Sequence, residues 1–304
     1  MKIINALTVD VEDYFHVSAF SNHIDRKDWD RYACRVEANT RALLVMFARE
    51  NVKATFFVLG WVAERYPALV REIMAAGHEI ACHGYSHELV YRQTPALFRE
   101  DTQRAKSILE DIVQVSIKGY RAASYSIVPQ STWALDILAE QGFLYDSSIF
   151  PVRHDRYGMP GARREPHVLK TPAGHSLVEF PLSTLQMGSY RLPISGGGYF
   201  RLFPYWFTRY ALKRINTADR LPFVFYLHPW EIDPNQPRVA ASMLSRFRHY
   251  QNLERCQERL ENLLLDFSFD TVEQVLTGLG LLTASGPRVA DREMSGSVYV
   301  AGPN

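Results

Sequence analysis

The sequence predicts an α/β fold built on a parallel β-sheet covered on both faces, either a barrel or a doubly wound sheet. Three observations lead there. Strand-length apolar runs alternate with helix-length amphipathic segments over the first two thirds of the chain, which is the spacing of βαβ units. The strand-length runs are continuously apolar, as strands buried on both faces are. Polar, chemically capable residues recur just after these runs, and in a barrel the C-terminal strand ends carry the active site.

The elements follow in order. Ile3 to Val9 is a short apolar run closed by Asp10, a buried strand. Glu37 to Arg49 places Leu43, Leu44, Phe47 and Ala48 on one helical face. Ala54 to Leu59 is a strand ended by Gly60, and Pro67 to Ala76 a helix stopped by Gly77. His78 to Cys82 is a strand, Pro95 to Val113 a long helix, and Ile117 to Tyr120 a strand. Thr132 to Gln141 is a helix stopped by Gly142, and Leu144-Tyr145 leads into a fifth strand. From Phe150 to Phe203 the chain is rich in Pro, Gly and Arg; irregular connections with short strands, including Leu177 to Leu182, are expected. Gly196-Gly197-Gly198 lacks the Lys-Ser/Thr of a phosphate loop and reads as a tight turn near the site. Helices are expected at Phe203 to Ile215, Ala240 to Tyr250, Leu253 to Leu264 and Thr271 to Leu279, with a strand at Phe223 to Leu227. Residues 1–280 are expected to form the catalytic domain and 281–304 a loose tail.

Composition narrows the function. The chain has 304 residues, 47% apolar and 22% charged, enough for a core without disulfides or structural metals. A formal net charge of +1 offers no broad basic field for nucleic acid. Three cysteines, Cys34, Cys82 and Cys256, do not make a disulfide framework and suit a reducing compartment. The first apolar run is too short for a secretory signal, and no run reaches membrane-helix length, so the expected location is the cytoplasm.

The strand ends carry the chemistry. Asp10, Glu12 and Asp13 follow the first strand, His83 and His87 the third, Arg121 the fourth, Asp146 the fifth and His228 the late one. His83 and His87, with a carboxylate from the first strand, can hold a divalent metal with positions left open for water. Such a metal lowers the pKa of water and favours hydrolysis. A second carboxylate at the first strand end can act as base, His228 as acid, and Arg121 can hold the base by a charge-assisted bond. A developing oxyanion would face the metal and a backbone N–H. Structural alternatives exist for several of these. Asp13 can cap a turn, Asp146 can cap through its two following serines, and His228 can be a core histidine. Trp230 can wall an acetyl pocket or simply pack, and Tyr14, Phe15 and His16 can line a sugar groove or pack. His78 stands at the wrong strand end for chemistry.

These residues resemble the family-4 carbohydrate esterases, the polysaccharide deacetylases with a NodB-type domain. Their five ordered motifs have counterparts in TVDVED (Thr8 to Asp13), His83 to His87, RAASYS (Arg121 to Ser126), YDSS (Tyr145 to Ser148) and FYLHP (Phe225 to Pro229). VKATFFVLG (Val52 to Gly60) and AAGHEIACHGYSH (Ala75 to His87) are also similar to family segments. DVEDYF and GGGYFRLFP resemble a subgroup associated with exopolysaccharide loci of exosortase-bearing bacteria.

The resemblance implies a distorted (β/α) barrel, usually seven-stranded, that is, a (β/α)7 barrel. It implies removal of N-acetyl groups from N-acetylhexosamine units of a polysaccharide or lipid-linked precursor, in exopolysaccharide biosynthesis. The partners expected are an acetylated glycan and a membrane-proximal biosynthetic complex. The cofactor implied is a divalent metal, zinc in most members, with cobalt or nickel able to serve. By position, Asp10 matches the base, His83 and His87 metal ligands, Arg121 the residue orienting the base, and His228 the acid. Asp146 tunes the surroundings of His228 or supports Arg121, and the Ser124-Tyr125 backbone offers an oxyanion N–H. Val11 stands where the family has its second Asp, so the metal carboxylate is Glu12 or Asp13. An extended strand puts Glu12 on the side of Asp10 and favours it; a turn cancels that rule. RAASY departs from the proline-containing third motif, which reshapes the groove wall. An allantoinase-like hydrolase of a non-sugar amide and a metal-free glycan-binding module are the competing functions.

Overall fold

The computed structural model describes residues 2–154, 156–283 and 286–288. In chain order the strands are β1 (Ile4–Val11), β2 (Thr55–Val58), β3 (Glu79–Cys82), β4 (Gly119–Tyr120), β5 (Tyr145–Asp146), β6 (His167–Lys170), β7 (Ser176–Glu179), β8 (Thr184–Met187), β9 (Tyr190–Pro193), β10 (Val224–Leu227), β11 (Ser268–Asp270), β12 (Leu282–Thr283) and β13 (Gly286–Pro287). The helices are α1 (Val36–Arg49), α2 (Gly60–Arg65), α3 (Pro67–Ala75), α4 (Pro95–Val113), α5 (Trp133–Glu140), α6 (Gly197–Leu202), α7 (Tyr205–Thr217), α8 (Met243–Tyr250), α9 (Cys256–Asp266) and α10 (Val272–Gly278).

Strands β10-β1-β2-β3-β4-β5-β7 pair in that order, all seven parallel, and β6 closes one edge antiparallel. This is the expected seven-stranded distorted barrel, a curled sheet with helices outside. Alternation along each strand separates two apolar layers. Leu7, Val9, Val11, Phe56, Val58, Ile80 and Cys82 face the helices, while Ala6, Phe57, Ala81, Tyr145, Val178, Val224 and Tyr226 fill the barrel interior. With both faces covered, every residue of β1 after Ile4 is buried.

Helix boundaries follow local chemistry. α4 starts on Pro95, whose missing N–H costs nothing in a first turn, behind Thr94, whose side chain caps Leu97 N. The late helices begin later than the apolar pattern predicts. Phe203 precedes Pro204 and is held extended, so α7 starts at Tyr205. Ser242 caps Ser245 N, so α8 starts at Met243. The irregular stretch after Phe150 forms two antiparallel hairpins, β6–β7 and β8–β9. β7 ends at Glu179, two residues before Pro181, short of the predicted Leu182.

The glycine triplet is a tight turn at the sheet. Gly196 has φ +139° and bridges Tyr226 in β10; a Cβ there would lie 1.9 Å from the Tyr226 carbonyl oxygen. At the other end of the chain, Leu282–Thr283 pairs with Gly286–Pro287, and Leu282 is buried. The expected tail from 281 onward lies mostly, as 289–304, outside the described residues.

Candidate active site

The C-terminal ends of β1, β3, β4 and β10 bring together Asp10, Glu12, His83, His87, Arg121 and His228, all but His228 buried. Thr8 and Asp10 share the face of β1 that points into the barrel mouth, and Glu12 follows in the turn after the strand, its N–H bonded to the Asp10 carbonyl at 2.9 Å. Arg121 reads this face: Nη1 donates to Thr8 Oγ1 at 2.8 Å and to Asp10 Oδ1 at 2.7 Å. Its Nε and Nη2 donate to the carbonyl and hydroxyl of Ser147, each at 3.0 Å, and its guanidinium lies 4.1 Å over the Phe57 ring. The base candidate is therefore fixed by a fully buried arginine whose three nitrogens all donate hydrogen bonds.

Glu12, His83 and His87 each offer one ligand atom, all within 4.8 Å of one another. His83 Nδ1 donates to the Arg121 carbonyl at 2.8 Å, which leaves Nε2 as the free lone pair. His87 Nε2 approaches Glu12 Oε2 to 2.8 Å, yet that buried oxygen has no aligned hydrogen-bond donor. The two atoms are both potential ligands, and a shared cation fits between them and His83. Burial raises the Glu12 pKa, but His87, His228 and His83 outweigh it and hold the carboxyl well below its usual range. Burial pushes His83 down to about 4, so its imidazole is neutral at pH 7 and available as a ligand. One carboxylate with two imidazoles suits zinc, cobalt or nickel.

His228, after β10, has Nε2 3.4 Å from Glu12 Oε1 and 3.9 Å from Asp10 Oδ2. Its Nδ1 donates to Glu231 Oε1 at 2.7 Å, and the same oxygen accepts the His228 backbone N–H at 3.0 Å. Burial lowers the His228 pKa, but the bond to Glu231 and the charges of Glu12, Glu231 and Asp10 hold it up at about 9. Glu231 is itself gripped by Arg201, Nε to Oε2 at 2.7 Å, and Arg201 donates on to the carbonyls of Arg248, His249 and Gln251. Burial raises the Glu231 pKa, but Arg201 and His228 bring it down to about 2. Trp230 is sandwiched between the rings of His228 and His249, at 5.1 Å and 4.1 Å.

Several expectations are corrected. Asp13 is not at the metal cluster: its carboxylate accepts the backbone N–H of Tyr14, Arg35 and Val36 at 2.9, 2.6 and 2.8 Å, anchoring the start of α1. β1 ends at Val11 and the Glu12 N–H turns back to the Asp10 carbonyl at 2.9 Å, and past this turn the Asp13 carboxylate is taken by α1. Tyr14 is buried in packing against Phe15 and lines neither of the two cavities at the site. Asp146 hydrogen-bonds neither His228 nor Arg121. It accepts from Ser148 Oγ at 2.6 Å and sits against buried Glu179, while Ser147 supports Arg121 instead. The Tyr125 N–H is spent on the Ala122 carbonyl, and its hydroxyl lies 3.5 Å from Asp10 Oδ2. Ser124, in a left-handed conformation at φ 51°, lines the larger cavity together with Trp230.

Ser147, Glu231 and Arg201 are the residues sequence reasoning did not assign. Glu231 had a local signal, an acidic residue three positions after His228 with Pro229 between, the spacing of a helix-start cap. Arg201 had none, because its partner lies 30 residues away.

Comparison with known proteins locates these residues. Residues 28–143 match the family model for Polysaccharide deacetylase, and residues 147–277 match a domain of unknown function, DUF3473. His83, His87 and Arg121 lie inside the first match, and Arg201, His228 and Glu231 fall in the second. A peptidoglycan deacetylase of Helicobacter pylori is 28% identical over 113 residues, 37% of this chain and 38% of that protein. A chitooligosaccharide deacetylase of Bradyrhizobium is 30% identical over 33% of this chain and 43% of its own length. A peptidoglycan-N-acetylglucosamine deacetylase of Bacillus cereus is 33% identical over 34% and 37%. The chain therefore spans about two fifths of the length of these curated relatives. Among solved structures, a Mycobacterium smegmatis protein assigned to the polysaccharide deacetylases aligns with TM-score 0.58 and 22% identity, over 95% of this chain and 94% of that one. Puue allantoinase aligns with TM-score 0.59 and 16% identity, over 90% and 89%. Both structural likenesses describe the fold.

Proposed function

We propose that this chain is a metal-dependent deacetylase that removes N-acetyl groups from N-acetylhexosamine units of a glycan. The observation that carries the reading is the convergence of Glu12, His83 and His87 within 4.8 Å of one another, beside an arginine-held carboxylate and a carboxylate-held histidine. The local likeness to peptidoglycan and chitooligosaccharide deacetylases supports it.

A divalent cation held by Glu12, His83 and His87, zinc in our reading, would make the acetamide carbonyl more electrophilic and water more acidic. Asp10, with Oδ1 committed to Arg121, keeps Oδ2 to take the proton of the attacking water. His228, with Nδ1 committed to Glu231, presents Nε2–H to the departing amine nitrogen. Trp230 and His249 hold the His228 ring in plane. Acetate and a free amino sugar leave.

We further propose a place in exopolysaccharide biosynthesis, on a polysaccharide or lipid-linked precursor, in the cytoplasm and next to a membrane-bound complex. The similarity of DVEDYF and GGGYFRLFP to the exopolysaccharide-locus subgroup supports the first, and three unpaired cysteines fit a reducing compartment. No described helix is long and apolar enough to cross a membrane.

The test is metal content of wild type and His83→Ala, with acetate release from N-acetylglucosamine oligomers on the same samples. About one metal per chain, lost with activity in the variant, is expected. Allantoin belongs in the panel because of the fold-level likeness to allantoinase; turnover of allantoin without acetate release would move the substrate to cyclic ureides. A wild type that takes up no metal would leave a glycan-binding module.

A further inference from the structure

Two cavities meet at the candidate site, and their charges differ. The smaller, about 420 Å³, carries both signs, with Asp25, Asp28 and Glu88 facing Arg26 and Arg92. The larger, about 680 Å³, runs from His228 and Trp230 out between α6 and α8. Among the described residues its lining contains four arginines, Arg92, Arg156, Arg201 and Arg248, and no aspartate or glutamate. The whole chain carries a net charge of only +1, so this is a local concentration of positive charge.

One of the four is already neutralised, since Arg201 is buried on Glu231. The guanidinium groups of Arg92, Arg156 and Arg248 are exposed and make no ion pair or side-chain hydrogen bond among the described residues. Tyr157, Tyr199 and Tyr226 line the same cavity as these cations and His228, and the Tyr157 and Tyr199 hydroxyls lie 3.2 Å apart. Aromatic faces suit sugar rings, and unpaired guanidinium forks beside them suit an anionic oxygen group.

Resting on the deacetylase reading, we propose that the glycan carries an anionic substituent on the side of the acetamido sugar that enters the larger cavity, bound by Arg92, Arg156 and Arg248. Two sources share this chemistry, a uronate within the chain and a phosphate at its reducing end. The smaller cavity, which carries acidic side chains and shares Arg92 with the larger one, takes a neutral stretch of the same chain.

The experiment compares N-acetylchitotetraose, a hyaluronan tetrasaccharide and N,N′-diacetylchitobiose 1-phosphate, by calorimetric binding to the metal-loaded protein and by acetate release. One anionic probe should bind about tenfold more tightly than the neutral one at low salt, and the advantage should shrink as ionic strength rises. In the combined variant Arg92→Gln, Arg156→Gln, Arg248→Gln the ratio of anionic to neutral binding should fall towards one. The favoured probe identifies uronate or phosphate as the source. Equal binding of neutral and anionic probes, or a preference that the variant and salt leave untouched, overturns the proposal. Acetate release from all three probes at equal efficiency would sink it while leaving the deacetylase standing. Selective anionic binding with no acetate from any probe would keep the site and remove the deacetylase.

Discussion

His228 Nδ1 and Glu231 Oε1 lie 2.7 Å apart, three residues apart in the chain, with Glu231 anchored from behind by Arg201. The acid candidate thus draws its partner from its own turn and not from β5.

That relationship predicts a pH effect. Glu231 helps hold the His228 pKa up at about 9, so an acid role is available until the pH rises through that value. Glu231→Gln removes a negative charge, the His228 pKa falls, and the alkaline limb of kcat/KM for acetate release moves to lower pH. A charged hydrogen bond is worth about 1.5–3 kcal/mol, which corresponds to a shift of about one to two pH units. Asp146→Asn should leave that limb in place. An alkaline limb unmoved in the Gln variant would remove His228 from the acid role.

Glu12 and Asp13 are predicted to behave as opposites. Glu12→Gln should abolish tight metal binding while folding normally, as measured by metal content and thermal unfolding. Asp13→Ala should keep the metal and lose about 2–4 kcal/mol of stability, because three backbone N–H groups, of Tyr14 and of Arg35 and Val36 at the start of α1, lose their acceptor. Metal loss in the Asp13 variant alone would reverse the assignment.

Asp10 and Arg121 form one unit. Asp10→Asn should lower kcat by about 10²–10⁴-fold with metal retained, the range for a lost general base. Arg121→Lys cannot reach Asp10, Thr8 and Ser147 together from one ammonium, and should destabilise the fold by about 3–5 kcal/mol as a broken buried pair. Chemical denaturation of the two variants separates the catalytic loss from the structural one.

Asp146 and Glu179 predict the pH dependence of stability. Burial raises both, Asp146 to about 6 and Glu179 well above 4.5; Asp146 pushes Glu179 further up, while the hydrogen bond from Glu179 partly offsets the rise at Asp146. A folded pKa above the unfolded one means stability that is full below about pH 4 and is lost as pH rises through the folded values. Glu179→Gln removes one of the two titrations, so its Tm should fall less than that of wild type between pH 5 and pH 8. Parallel Tm curves would show that the pair does not titrate in that range.

The sequence by itself determined the sheet and the positions of most site residues. Apolar periodicity is a local property, and it fixed which runs lie inside a parallel sheet and therefore which residues stand at its C-terminal ends. Asp10, His83, His87, Arg121 and His228 were legible for that reason, and the two-residue period already pointed to Glu12 over Asp13. Tertiary structure decided the hydrogen-bond partners. Asp13 was claimed by α1, Ser147 took the support of Arg121 from Asp146, and Arg201 reached Glu231 across 30 residues. Those choices depend on distances and donor directions set only when helices and loops settle on the sheet. The positive cavity has the same origin: Arg92, Arg156 and Arg248 come from three separate segments, and no window of sequence places them together.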